Sequence, residues 1–114
     1  MKTIGVIGAG QMGAGIAQVS AQAGYAVLLS DVDLGRAEKG VGVIAKALGR
    51  MVEREKISAE ARDSALALIR PVAGTSAFAE ADLVIEAATE REEIKRAIFA
   101  DVGKVLRRIG RAHV

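Results

Sequence analysis

The residues best suited to chemistry stand near the start of the chain. They are the turn Gly8-Ala9-Gly10-Gln11-Met12-Gly13, a G-x-G-x-x-G pattern, and Asp31, eighteen residues beyond Gly13. Their shared task is to hold a phosphorylated sugar, not to break a bond. Gly8 permits a tight turn off a strand, Gly10 has no Cβ and lets backbone approach a diphosphate, and Gly13 lets the next helix pack closely. Ala9, Gln11 and Met12 complete the loop, with Met12 read as a packing residue and not a redox one. The N–H groups and dipole at the start of that helix face diphosphate charge. A carboxylate at Asp31 accepts hydrogen bonds from both hydroxyls of an adenosine ribose and repels a 2′-phosphate. Val32 and Asp33 follow it with no intervening arginine, which favours NAD over NADP; Arg36 is the nearby cation that reaches toward a 2′-phosphate. The alternatives are a tight βα turn without a ligand and a simple strand-end turn at Asp31.

These residues need particular elements to position them. A β-branched strand over Thr3–Ile7 leads into the loop, and a helix of small residues follows from about Gln11 to Ala23, stopped by Gly24. Ala26–Ser30 is a continuous apolar run, as in a parallel strand covered on both faces, with Asp31 at its carboxyl end. Ala37, Val41, Ile44, Leu48 and Met51 recur every three or four residues and predict a helix over about Arg36–Glu55. Ser58 caps another helix over about Ala59–Ile69, broken at Arg70-Pro71. The pair forms either a helical hairpin inserted between strands two and three or two ordinary crossover helices on the sheet. Pro71–Ala73 is a short third strand and Leu83–Ala88 a fourth. Thr89-Glu90-Arg91-Glu92 reads as a capping box opening a helix that carries Ile94, Ile98, Val102 and Val105 on one face. The expected fold is α/β, an incomplete Rossmann-type doubly wound parallel sheet with strand order near 3-2-1-4 and the helical hairpin inserted between strands two and three.

Composition narrows the function. The 114 residues suit one small domain, and 51% hydrophobic with 3% aromatic residues makes its core aliphatic. The absence of cysteine excludes disulfides, thiol catalysis and cysteine-bound metal. The formal net charge is +2, with Lys104, Arg107, Arg108 and Arg111 gathered near the C-terminus. No aromatic residues interleave with them to stack bases, so a solvated helix end is preferred over a nucleic-acid patch. No apolar run reaches the ~18 residues of a membrane span, and a soluble cytoplasmic protein is expected. The single histidine, His113, stands next to the last residue; neither a catalytic nor a metal-ligating residue is assigned. Glu90 and Lys95 follow the fourth strand, at the sheet edge that bears the glycine turn. There they can orient a nicotinamide-side ribose, or simply charge the solvent face of a helix start.

Gly8 to Gln18, then Ala23-Gly24-Tyr25-Ala26-Val27, Asp31, and Asp82-Leu83-Val84-Ile85-Glu86-Ala87 with Glu90 and Lys95, closely resemble the 3-hydroxyacyl-CoA dehydrogenases, in their 3-hydroxybutyryl-CoA form. The resemblance implies oxidation of the 3-hydroxyl of an acyl-CoA with hydride passed to NAD. It implies NAD contacts at Gly8–Gly13, Asp31, Glu90 and Lys95. The family's CoA-contacting positions fall near Ile44 and Met51, so no CoA residue carries over. It assigns residues 1–102 to a partial NAD-binding domain and leaves 103–114 as an unmatched basic tail. The family continues into an Asn-Thr-Ser segment, a catalytic His–Glu pair and a helical domain that supplies the dimer interface. A truncated NAD-binding portion is therefore expected, dimeric only with that further domain, binding NAD weakly and turning over little or nothing alone. Two other readings stand beside it: the cofactor domain of a β-hydroxyacid dehydrogenase, which shares G-x-G-x-M-G, and a non-catalytic NAD-binding module.

Overall fold

The computed structural model describes residues 3–87. Four strands make one parallel sheet: β1 (Thr3–Ile7), β2 (Ala26–Asp31), β3 (Ile69–Ala73) and β4 (Leu83–Glu86), in the order β3-β2-β1-β4. This is the order expected. The glycine loop thus leaves the middle of the sheet, with Ile7 beside Ser30 of β2 and Glu86 of β4. Parallel strands need crossovers, and α1 (Gln11–Gln22) links β1 to β2.

Between β2 and β3 come α2 (Leu34–Glu53) and α3 (Ala59–Ala67), which pack on one another. They form the expected helical hairpin between strands two and three. α2 lies on β2 and β3 as a crossover helix does, whereas α3 sits mainly against α2 and α1. The core is aliphatic: Ile4 and Val6 from β1, Val27 and Leu29 from β2, Ile16 from α1, and Ile44 and Leu48 from α2 are all buried.

Boundaries moved for local reasons. α2 starts two residues before the expected Arg36 because Asp33 is its N-cap, its carboxylate accepting the Arg36 N–H at 2.8 Å. It ends before Glu55, whose φ of 58° is left-handed and cannot continue a helix. α3 stops at Ala67, not Ile69, because Ile69 is buried in β3 opposite Val27. Pro71 therefore lies inside β3, a position tolerated because β3 stands at the end of the sheet among the described residues. Ala88, the Thr89–Glu92 capping box, the helix expected after it and His113 lie outside the described residues.

Ser58 caps α3 as its sequence position predicts, its Oγ accepting the Ala61 N–H at 3.0 Å. Ser58→Ala removes that acceptor at a cost of about 1 kcal/mol. Thermal denaturation should show a melting temperature lower by roughly 4–8 °C.

Candidate functional site

The loop is built as its glycines require. Gly8 has φ 102°, a conformation open to glycine and strained for other residues, and its N–H donates to Ser30 O at 2.8 Å. Gly13 sits under the loop: a Cβ there would stand 1.6 Å from Gly8 O. Gly10 differs from both. Its φ of −70° is ordinary, and a Cβ there would meet nothing within 4 Å. Gly10 thus has open space in front of it.

Gly10 is also the N-cap of α1, and no side chain caps this helix or places an acid in its first turn. The starts of α2 and α3 are capped by Asp33 and Ser58. α1 thus presents donors and positive dipole to whatever enters the cleft. Gln11 is exposed at this entrance, while Met12 is buried and packs in the core, as its sequence reading has it.

Asp31 stands at the end of β2, across from the loop. Its Oδ2 accepts the Ala9 N–H at 2.8 Å and its Oδ1 accepts the Val32 N–H at 2.7 Å. Those two bonds, Ala9 first, hold the carboxyl below its ordinary value; partial burial opposes them, and Arg36 adds a smaller downward pull. Each oxygen uses one lone pair in this way and keeps another for a hydroxyl donor.

A groove of about 540 Å³ collects these features, lined by Ala9, Gly10, Gln11, Ala14, Asp31, Arg36, Lys39, Gly40 and Val43. This is within the size range of small-molecule sites. A smaller hollow of about 200 Å³ lies on the far side of Asp31, bounded by Gly8, Ser30, Val32 and Thr75 among others. Asp31 stands between the two.

Of the residues singled out from the sequence, Ala9, Gly10, Gln11, Asp31 and Arg36 line this groove, whereas Gly8 borders the smaller hollow, Met12 lies in the core and Gly13 packs under Gly8. Arg36 is exposed, with Nε 3.6 Å from Asp33 Oδ2. Lys39, Gly40 and Val43 were not singled out. Their spacing from Arg36, three, four and seven residues along one helix that follows Asp31, is the signal that marks this face. Glu90 and Lys95 lie outside the described residues. No helix among the described residues is long and apolar enough to cross a membrane.

Comparison with known proteins places this geometry. The family described as 3-hydroxyacyl-CoA dehydrogenase, NAD binding domain, matches residues 3–109. A 3-hydroxybutyryl-CoA dehydrogenase of Bradyrhizobium diazoefficiens is 45% identical over 107 residues, which are 94% of this chain and 36% of that protein. A 3-hydroxyadipyl-CoA dehydrogenase of Escherichia coli is 44% identical, over 92% of this chain and 22% of its own length. The crystal structure of (S)-3-hydroxybutyryl-CoA dehydrogenase from Ralstonia eutropha superposes with a TM-score of 0.76 at 37% identity, covering 90% of this chain and 36% of that one. The chain thus spans about a third or less of the length of these relatives. With a G-x-G-x-x-G loop on the central strand, an acid closing the next one and a family match over nearly its whole length, this chain belongs to the NAD-binding domain family of the 3-hydroxyacyl-CoA dehydrogenases.

Proposed function

We propose that this chain holds NAD for an oxidoreductase acting on 3-hydroxyacyl-CoA thioesters. One observation carries the reading: an uncapped helix start, a glycine facing open space and a hydrogen-bonded carboxylate share one groove. Backbone N–H groups at the start of α1, Gln11 to Gly13, hold the diphosphate; Gly8 and Ala9 shape the loop through their own bonds to Ser30 O and Asp31, Gly10 leaves the space open, and Met12 anchors the loop in the core. Asp31 accepts the adenosine ribose hydroxyls and disfavours a 2′-phosphate. Glu90 and Lys95 are proposed to contact the nicotinamide-side ribose; in support, β4 ends beside Ile7, at the start of the glycine loop. When bound, NAD supplies a hydride acceptor for the carbon bearing the 3-hydroxyl. The hydroxyl proton needs a base, and no residue of this chain is assigned that role. The substrate class rests on the relatives, named for 3-hydroxybutyryl-CoA and 3-hydroxyadipyl-CoA.

Calorimetry and a turnover assay test the proposal together. The 114-residue chain should release heat with NAD, bind NADP more weakly, and make little or no NADH from 3-hydroxybutyryl-CoA. Absence of heat with NAD overturns the assignment. Gly10→Ala sharpens the test. The new methyl group has room in the protein, so the melting temperature should stay close to wild type. It occupies the space where a diphosphate would lie, so NAD affinity should drop by about tenfold or more, the scale of one displaced charge-assisted hydrogen bond.

A further inference from the structure

Gly40 is buried on the face of α2 that meets the glycine loop. A Cβ there would stand 2.9 Å from both Ala9 Cβ and Ala9 O, and 3.1 Å from Leu29 Cδ2. Ala9 O is backbone and Leu29 is fully buried in the sheet, so neither yields easily. Helix α2 therefore approaches the loop as closely as a residue without a side chain allows. Gly42 and Gly49, on the same helix, have nothing within 4 Å of such a Cβ. The close approach belongs to position 40 and not to the glycine content of α2.

Ala9 is also the residue whose N–H reaches Asp31 Oδ2. A chain of contacts thus joins helix, loop and carboxylate in the order Gly40, Ala9, Asp31. The same helix carries Arg36 and Lys39 into the groove, so its distance from the loop sets the groove's width. Any side chain at position 40 must push α2 outward or push Ala9 away from it. The first widens the groove, and the second disturbs the N–H that orients the carboxylate.

We propose that Gly40 is a positioning residue for the dinucleotide, acting through Ala9 on the Asp31 carboxylate. This rests on the groove being the NAD site.

The test compares Gly40→Ala with Gly42→Ala in the 114-residue chain. It reads NAD affinity by calorimetry, the Asp31 carboxyl by NMR titration, and melting temperature. Gly40→Ala should weaken NAD by about tenfold, the scale of one charge-assisted hydrogen bond. It should also move the Asp31 titration upward, toward the ordinary carboxylate value. Gly42→Ala should change neither. Adding Ala9→Gly to Gly40→Ala removes the Cβ–Cβ conflict and should restore part of both. Should Gly40→Ala fail to fold, this double variant carries the same readouts, because Ala9 O still faces the new methyl group. A lowered melting temperature with NAD affinity and Asp31 titration both at wild-type values overturns the proposal and leaves Gly40 a packing residue. If the wild-type chain itself gives no heat with NAD, the NAD site falls. The Asp31 titration then still decides whether Gly40 governs the carboxylate.

Discussion

Gly13→Ala should cost more stability than any other single methyl group added to the glycine loop, and should abolish NAD binding with it. The added Cβ would lie 1.6 Å from Gly8 O and 2.8 Å from Gly8 C, inside any non-bonded separation. Relief requires α1 to withdraw from the sheet or Gly8 to leave its turn. Withdrawal exposes Ile16 and Ala17, both fully buried. Distortion of the turn breaks the Gly8 N–H bond to Ser30 O. Overpacking of a well-filled site costs about 1–3 kcal/mol and occasionally more, and a clash between backbone atoms belongs at the upper end. A melting temperature lower by roughly 10 °C or more follows for a domain of this size. Circular dichroism on heating measures it. A wild-type melting curve would show that loop and helix do not meet as described. The comparison with Gly10→Ala is informative because the two glycines stand three residues apart and face opposite surroundings, Gly13 the backbone of Gly8 and Gly10 open space.

Replacing Asp31 should remove affinity more than stability. Asp31→Asn keeps the shape and one carbonyl oxygen, so one of the two backbone bonds, to Ala9 or to Val32, can persist. The charge is lost. Hydrogen bonds to charged groups contribute about 1.5–3 kcal/mol each, so NAD affinity should fall roughly 10- to 100-fold. NADP should lose less or gain, because Arg36 and Lys39 already line the groove and the repelling carboxylate is gone. The ratio of the two dissociation constants is the quantity to measure, and an unchanged ratio would remove Asp31 from cofactor selection. Acid should mimic the substitution. Because the folded carboxyl is held below its ordinary 3.8, its bond to the loop is complete at neutral pH. That contribution persists above the unfolded carboxylate's range and disappears as pH falls through the lowered folded value. Wild-type affinity should therefore be level near neutrality and decline only in strong acid, while Asp31→Asn shows no such step.

The parts legible in the sequence were those whose cause is local. Thr3–Ile7, the turn at Gly8 and the acid at position 31 follow from residue types at short spacing, and the structure reproduces each. The strand order also followed, because right-handed parallel crossovers leave few alternatives. Helix ends were less legible. Asp33 was weighed as part of a strand-end turn, and only the folded chain shows its carboxylate on the Arg36 N–H. Sequence alone points to Pro71 as the start of β3. Ile69 and Arg70 join that strand because Val27 and Leu28 pair with them from forty-two residues away. The contact at Gly40 was hidden for the same reason. Helical spacing places Gly40 on the face of Arg36 and Ala37, away from Gly42, but its close neighbour, Ala9, is thirty-one positions back and no local spacing shows that approach.

Pro71 has a consequence for how molecules of this protein behave toward one another. It lies in β3, which among the described residues is the terminal strand of the sheet on that side, opposite Leu29. A terminal strand ordinarily exposes a row of donors and acceptors on which a stray strand from another molecule can template itself. Proline has no N–H to donate, and its ring stands where that donor would be. Intermolecular strand addition along this border, the first step of ordered aggregation, is interrupted at its midpoint by one residue that the sheet itself tolerates.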